Sequence, residues 1–439
     1  MSSHFSILGV LKHPEYSRLF TAQAVNMLGT GLASVALGLL IFELGGADAG
    51  VILGTVLSVK IIAYVTIAPV AEALLGNFPR RTVLVMLDLV RAGFAMALPW
   101  VTEIWQIYLL IFLLQASSAG FTPLFQATIP DLLDNEEDYT KALSLSRLAH
   151  DLETLLSPVL ATMLLAVVTW QGLYAGTVFG FLASAALVCS VNLPFSNKTQ
   201  LPFRKRVTRG MQIYLATPRL NGGLILHGVV AAVGAMVFVN TVVIVQGHFG
   251  LTEQYTALSL AAFGIGSMLV ALVAPKLLER CPERRIMLLG SLIVVIGLGI
   301  SSAIENWREL LPAWTMLGSG YSMILIPMGR LLKRSAHKED RPALFAAHFS
   351  LSHACWLIAY PTVGWLGANF GFFLTFGFLA TVCLLGCAMA WKAWPKIDPI
   401  DLEHRHDDLS RDHPHLRSDT QVHVHTYVID DLHPQWPGR

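Results

Sequence analysis

The sequence predicts an all-α membrane protein whose twelve transmembrane helices form two halves of six. Three observations lead to this prediction: the composition is 54% hydrophobic and only 13% charged, the apolar residues are gathered into long runs, and one basic stretch divides those runs into two equal sets. Soluble proteins carry roughly 25% charged residues, and a soluble chain this apolar would expose large adhesive patches. Lipid is therefore the expected surrounding for most of the chain.

Each apolar run is long enough to cross a bilayer, whose hydrocarbon core requires about 20 residues of helix. The breaks between runs carry turn-forming or charged residues, for example Gly45-Gly46 and Gly76-Asn77-Phe78-Pro79. The predicted helices cover residues 17–43, 49–75, 82–101, 104–129, 142–168, 172–193, 220–247, 253–279, 284–303, 309–333, 343–369 and 371–394.

The charges in the connections predict the orientation of the chain. The Lys and Arg of the connections lie in every second one, beginning with Arg80 and Arg81, whereas the others are mainly acidic, as at Asp48 and Glu103, with Arg308 as their lone cation. Cation-rich loops remain in the cytoplasm. We therefore expect a multi-pass protein of the bacterial inner (plasma) membrane with both termini cytoplasmic.

This pattern divides the chain into four regions. We predict an N-terminal six-helix half at 1–193, a basic cytoplasmic linker at 194–219, a C-terminal six-helix half at 220–394 and a cytoplasmic tail rich in His and Asp at 395–439. Two six-helix halves joined in this way are typical of secondary transporters, which bind substrate near the middle of the membrane between the halves.

The connection after the second predicted helix resembles the signature loop of the major facilitator superfamily, which in general form reads G-x-x-x-D-R-x-G-R-R. The stretch 72–81 keeps the two arginines but has Gly76-Asn77 in place of the usual Asp-Arg, and the second half retains Glu279-Arg280. The resemblance implies the major facilitator fold, in which the acidic residue of this loop helps to latch the closed state. The latch of the first half is therefore expected to be incomplete.

The candidate gating residues follow from this resemblance. Asp88 and Arg91 lie three residues apart near the inner end of the third predicted helix, and a purely structural ion pair is the alternative for them. The full set is Arg80, Arg81, Asp88, Arg91, Glu279 and Arg280.

Shorter stretches resemble, more narrowly, the NreB-type nickel-resistance exporters. They lie at residues 14–20, 127–131, 144–149 and 427–433. This resemblance implies nickel as the cargo and export as the direction of transport.

The tail predicts a metal-binding segment. It contains seven histidines, six of them in His-x-His pairs, interleaved with Asp and without cysteine. Residues two apart in an extended chain lie on the same side, so each pair can direct two imidazoles at one ion. Imidazole suits Zn, Cu, Fe and Ni, and the lack of thiolates argues against Cu(I). A solvated polar tail is the alternative. The predicted ligands are His404, His406, His413, His415, His423, His425 and His433.

Charged groups within the apolar helices are functional candidates because a charge is costly in lipid. In the fifth predicted helix, His150, Asp151 and Glu153 could bind a divalent ion or carry a proton, whereas Asp151 could instead pair with Arg147 four residues earlier. Lys60 requires a cavity or a carboxylate from another helix. The remaining candidates, for which hydrogen bonding between helices is the alternative, are Asn26, Gln115, Gln126, His227, Asn240, Arg330, His348 and His353.

The motifs of ATP-driven and hydrolytic proteins are missing from the sequence, which contains no P-loop, GxSxG or HExxH. An enzyme is therefore not predicted, and no cofactor is expected.

The first hypothesis is a secondary active transporter that exports a divalent transition-metal ion, nickel or cobalt first, in exchange for protons. The alternative is an exporter of an organic solute such as a drug or siderophore, and a metal sensor without transport is the third. The expected partners are the substrate, protons and the lipid bilayer, without nucleic acid, and the expected unit is a monomer.

Overall fold

The computed structural model of the chain describes residues 7–193, 202–399, 401–405 and 422–437. Helices dominate it, with two short strands near the end. The elements are α1 (Pro14–Gly45), α2 (Ala49–Leu75), α3 (Arg80–Ala97), α4 (Ile104–Leu132), α5 (Glu136–Leu165), α6 (Trp170–Cys189), α7 (Phe203–Ala216), α8 (Pro218–Val242), α9 (Glu253–Arg280), α10 (Glu283–Ser301), α11 (Trp307–Arg334), α12 (Arg341–Ala393), β1 (Asp401–Arg405) and β2 (Val422–Thr426). Short 3₁₀ turns cover Ile7–Lys12, Gly46–Asp48 and Leu98–Trp100, and a π-helical segment covers Val243–His248.

Twelve of the helical segments are long enough to cross a bilayer, as predicted. Ten of the described helices also meet the hydropathy expected of a span. The last of these, α12, is two helices joined at Gly371, whose φ of 73° breaks the helical path and is accessible to glycine at no steric cost. The twelfth span is α11, which is 28 residues long but less apolar, and it packs against α9 and α10.

Small residues allow the helices of each half to approach closely. In the N-terminal half α1 packs on α6, and in the C-terminal half α9 packs on α11. A Cβ added at Gly266 of α9 would lie 2.0 Å from the Thr315 carbonyl oxygen, and one at Gly318 of α11 would lie 1.9 Å from that of Phe263. Backbone contacts this close are common between membrane helices, where small residues line the interfaces.

The two halves meet where α5 contacts α9 and where α2 contacts the first arm of α12. Helix α7 lies within the predicted linker, where no helix was predicted, and it contacts both α2 and α12. We call the end of the bundle that carries α7, the α4–α5 and α11–α12 connections and the tail the linker face. Helix α5 begins six residues earlier than predicted because the Asn135 side chain accepts a hydrogen bond from the Glu137 N–H and caps it.

The described part of the tail is folded against the linker face. Strands β1 and β2 pair antiparallel, with His404 opposite His423. The Asp398 carboxylate anchors the start of the tail by pairing with Arg219 at 2.9 Å and Arg334 at 2.5 Å. Tyr427 and Trp436 join the core of the C-terminal half. The described part of the tail thus contains a pair of strands docked on the linker face.

The close helix contacts predict which glycines cannot be enlarged. We expect Gly266→Ala and Gly318→Ala each to destabilise the protein by about 1–3 kcal/mol, because overpacking forces the backbones apart. Gly299→Ala in α10 is the matched control, since a Cβ at that position meets no atom within 4 Å. Thermal unfolding of the purified variants in detergent measures the effect. Equal melting temperatures for all three would contradict the packing described here.

Candidate functional site

A buried carboxylate joins the two halves at the linker face. One oxygen of Asp131, at the end of α4, is 2.6 Å from the Arg80 guanidinium of the same half. The other oxygen pairs with Arg341 at the start of α12, in the opposite half. The Asp131 side chain is only 4% exposed, so both arginines depend on it for their charge compensation. Asp131 therefore supplies the acidic group that is missing from the signature loop at Gly76-Asn77.

A second set of charges closes the same face. Arg330 of α11 lies 2.9 Å from Glu283 in its own half and 2.6 Å from Glu136 at the start of α5. The Lys333 ammonium donates to the carbonyl oxygens of Leu133 and Asp134 at 2.9 and 3.1 Å. Arg330 and Lys333 of the C-terminal half thus bind the α4–α5 connection of the N-terminal half. Arg330 therefore helps to close the linker face.

Polar contacts between the halves continue inward from the linker face. The Tyr139 hydroxyl donates to the Gly329 carbonyl oxygen at 3.2 Å. About two turns of α5 further along, Arg147 pairs with Asp151. Both also bond to the Ser267 hydroxyl of α9, Arg147 at 2.9 Å and Asp151 at 2.6 Å. Asp151 is therefore committed to a contact that holds α5 against α9.

The predicted transport residues Lys60, His150, Glu153 and His353 lie half-way along their helices, above this closed region. The Lys60 ammonium is 5.8 Å from the Tyr64 ring centroid. Glu153 accepts a hydrogen bond from the Ser157 hydroxyl at 3.2 Å, and its other oxygen is 3.9 Å from the His150 imidazole. Among the described residues Lys60 forms no ion pair with Glu153 or another carboxylate, and its described contact is with the Tyr64 ring.

Aromatic rings from both halves form a wall of this cluster. The Tyr64 ring of α2 contacts Phe349 and His353 of α12, with centroids 4.9 and 4.8 Å apart. The Tyr64 hydroxyl donates to Gln115 of α4 at 2.8 Å. A site at the boundary of the halves, with one carboxylate, one lysine and two imidazoles, can bind a polar or charged substrate and exchange protons with it.

Asn26, Asp88 and Arg91 lie inside the N-terminal half, away from any loop. Asp88 is fully buried; it pairs with Arg91 and accepts hydrogen bonds from Asn26 at 3.2 Å and Ser184 at 2.8 Å. The Arg91 guanidinium stacks 3.9 Å from the Phe121 ring centroid. This cluster joins α1, α3 and α6, so the structural ion pair is what the geometry supports for Asp88 and Arg91.

The remaining candidates are dispersed. His227 is buried in α8, its ring centroid 4.7 Å from that of His348, and His348 bonds to the Tyr214 hydroxyl of α7 at 3.1 Å. Asn240 packs beside the Val363 carbonyl oxygen at 3.4 Å. The side chains placed at exposed positions are Arg81, Gln126, Glu279 and Arg280.

The residues that the sequence did not identify as gating groups are Asp131, Glu136, Glu283 and Arg341. Each is an ordinary loop or helix-end charge by its spacing in the sequence, and only the fold brings the opposite signs together. One signal was available: the α4–α5 connection is acidic from Asp131 to Asp138, whereas most Lys and Arg of the connections lie elsewhere on the same face.

Three of the predicted tail ligands converge on one point. One nitrogen each of His404, His425 and His433 lies within 4.8 Å of the others, and the Nε2 atoms of His404 and His433 are 3.0 Å apart. Three imidazoles suit a divalent ion of the zinc, copper or nickel type. His423 belongs to β2, but its side chain is not described, and His406, His413 and His415 lie outside the described residues.

An acidic residue orients this candidate metal site. Asp430 accepts from the Nδ1 of His433 at 2.7 Å and lies 3.5 Å from His337 in the α11–α12 connection. Partial burial raises the pKa of the Asp430 carboxyl, but hydrogen bonds with His337 and His433 outweigh burial and hold that pKa well below its usual range. The hydrogen bond with Asp430 in turn raises the pKa of His337. A carboxylate behind a ligating imidazole is a recurrent feature of metal sites.

The central role of Asp131 predicts the effect of removing its charge. Asp131→Asn leaves two buried arginines without compensation, and breaking a buried pair in this way costs about 3–5 kcal/mol. We expect the linker face to open. Nitroxide labels at the exposed Lys12 and Arg285, one in each half, should report a longer distance by pulsed electron resonance. Asp138→Asn, on the exposed His13 pair of the same face, should leave the distance unchanged, and an unchanged distance in Asp131→Asn would contradict the assigned role.

Known proteins resemble this chain along nearly its whole length. The family model of the Major Facilitator Superfamily matches residues 19–241 and 224–408. An uncharacterized MFS-type transporter, YfiS of Bacillus subtilis (strain 168), is 21% identical over 84% of this chain and 89% of its own length. Macrolide efflux protein A of Streptococcus pyogenes is 22% identical over 65% of this chain and 72% of its own.

Solved structures share the fold. The human organic anion transporter MFSD10 (TETRAN) superposes with a TM-score of 0.75 at 12% identity, covering 86% of this chain and 98% of that one. A bacterial homologue of the iron transporter ferroportin, in an outward-facing state, gives 0.71 at 14% identity with the same coverage. With two family matches that together span most of its length and twelve helices in the corresponding fold, this chain belongs to the Major Facilitator Superfamily of membrane transporters.

Proposed function

We propose that the protein exports a divalent transition-metal ion, nickel or cobalt first, in exchange for protons. It does so as a monomer by alternating access in a bacterial inner membrane, with the linker face cytoplasmic. The observation that carries the proposal is the convergence of His404, His425 and His433 at the linker face. An exporter collects its cargo on the cytoplasmic side, so a metal-binding group there is on the side where it is needed.

The direction and the cargo have separate support. Macrolide efflux protein A is named as an exporter, which supports efflux. The stretches that resemble NreB-type nickel-resistance exporters support nickel. With the linker face cytoplasmic, the closed charge layer around Asp131 separates the central cluster from the cytoplasm, as the release step of an exporter requires.

Glu153 is the carboxylate best placed to couple proton movement to transport. Asp151 is engaged by Arg147 and Ser267, whereas Glu153 lies in the central cluster beside Lys60 and His150. An ionised Glu153 balances the Lys60 charge and can contribute to cation binding. Protonation leaves the positive charge of Lys60 uncompensated, which repels a dication. Proton and metal ion therefore compete for this site, as exchange requires.

Export of an organic solute is the second candidate. The relatives named for macrolide efflux favour it, and so does the aromatic wall of Tyr64, Phe349 and His353 beside the central cluster. In that case the tail would regulate the carrier rather than deliver metal ions to it.

Inverted membrane vesicles distinguish the two candidates. With an acidic interior imposed, uptake of Ni²⁺ or Co²⁺ above that of vesicles lacking the protein supports metal export. Uptake of a labelled macrolide without uptake of either metal supports the second candidate and overturns the first. Deletion of residues 400–439 should lower uptake at low metal concentration if the tail collects cargo.

The proposed role of Glu153 predicts a specific defect. Glu153→Gln should abolish uptake driven by the pH gradient while preserving exchange of cargo between the two sides without a gradient, because the amide cannot take up the proton. Glu43→Gln, at the exposed end of α1, is the matched control and should behave as the unmodified protein. Retention of gradient-driven uptake by Glu153→Gln would exclude it as the coupling group.

A further inference from the structure

The tail contacts parts of the linker face that must move for transport. Asp430 lies 3.5 Å from His337 in the α11–α12 connection, and the neighbouring Asp431 lies 2.9 Å from Arg209 of α7. Arg209 also pairs with Asp340 at 3.0 Å. The segment that carries His433 is therefore fastened to both the linker helix and the start of α12.

This attachment reaches the N-terminal half. A cavity of about 360 Å³ at the linker face is lined on one side by Glu72, Gly76 and Asn77 of the N-terminal half and on the other by Asp430 and Asp431 of the tail. Helix α7 lies in contact with both α2 and α12. The linker face can open only if the two halves separate at this cavity. The docked tail lines the cavity and therefore lies where that separation occurs.

The three imidazoles come from separate segments of the tail. His404 lies on β1, His425 on β2 and His433 in the turn that follows. An ion bound to all three joins the strands to each other and to the segment that contacts His337 and Arg209. His433 is only 2% exposed and is oriented by Asp430, so the fold holds this ligand in place before an ion binds.

We propose that His404, His425 and His433 form a metal-operated latch. A divalent transition-metal ion of the zinc or nickel type, bound by the three imidazoles, fixes the tail against the linker face and stabilises the conformation in which that face is closed. The Asp430–His337 contact transmits this effect to α12, and the Asp431–Arg209 contact transmits it to α7. The latch is a regulatory site distinct from the transport site, and it operates whether the cargo is a metal ion or an organic solute.

The latch follows from the linkage between binding and conformation. An ion that binds the docked tail more tightly than the released tail shifts the population toward the docked state by that difference in affinity. Equal affinity for the two states would shift nothing. Only the docked fold brings the three ligand-bearing segments together. The ion therefore binds the docked tail more tightly than the released tail.

The first measurement is Zn²⁺ binding to the purified full-length protein together with the distance between nitroxides at Lys12 and Arg285. Zn²⁺ is diamagnetic and leaves the label signal intact. The five native cysteines are replaced before labelling. We expect one tight Zn²⁺ site and a shift of the distance distribution toward its shorter component. The triple variant His404→Ala, His425→Ala, His433→Ala should lose both effects, whereas His248→Ala, at the exposed end of the π-helical segment, should keep both.

The second measurement separates the latch from a site that only stabilises the tail. His337→Ala removes the contact with Asp430 but no ligand, so Zn²⁺ binding should persist while the distance shift is reduced to the part that the Asp431–Arg209 contact transmits. Asp430→Asn should weaken Zn²⁺ binding by about 10- to 100-fold, as loss of a ligand-orienting carboxylate typically does. His13→Ala, which removes an exposed His–Asp pair on the same face, is the matched control.

Two outcomes would overturn the proposal. One is Zn²⁺ binding that survives loss of the three histidines, or that is absent from the unmodified protein. The other is tight binding with a distance distribution that does not respond, or that responds equally in His337→Ala. Neither outcome depends on vesicle uptake of metal or macrolide, so the latch and the proposed transport function fail separately.

Discussion

The closed conformation depends on Asp131, a carboxylate with an arginine from each half on either side. Asp131 matters because it is buried. A carboxylate and two guanidinium groups removed from water are stable only when they are paired with one another. The contacts of Arg330, Lys333 and Tyr139 lie around it and add to the closure, but each of them involves an exposed group or a backbone carbonyl. Alternating access therefore requires a means of separating Asp131 from Arg341 while Arg80 keeps its partner.

The structure divides its buried charges between two tasks. Asp88 with Arg91, and Asp151 with Arg147, hold helices together, and each carboxylate is saturated by hydroxyl or amide donors in addition to its arginine. Glu153 and Lys60 are less constrained, since one hydrogen bond and one imidazole at 3.9 Å are the contacts that the structure gives Glu153. A site that must gain and lose a ligand requires this lower degree of saturation. The contrast separates Glu153 from Asp151, which the sequence presented as equivalent.

Much of the fold could be predicted because bilayer thickness and loop charge leave long, simple signals. The twelve spans follow from such signals, whereas the family was indicated by the resemblance of residues 72–81 to a signature loop. The gate could not be predicted, because Asp131, Glu283 and Arg341 acquire meaning only when distant loops meet. Helix α7 was missed because its sequence is basic and lacks a long apolar run. The tail shows an intermediate case: spacing indicated metal ligands, but only the fold brings three of the described histidines together and adds Asp430.

Gly371 joins the last two helices without a connecting loop. The start of α12, which carries Arg341, and its end at Trp394 are thus the two tips of one hairpin whose bend lies on the far side of the membrane. Each residue of helix advances the side chains by about 100°, so one residue inserted at the bend would rotate the whole returning arm. Trp394 and Asp398 would then face away from Arg284 and Arg219. The direction in which the tail leaves the helix bundle is therefore set by the bend at Gly371, on the opposite side of the membrane.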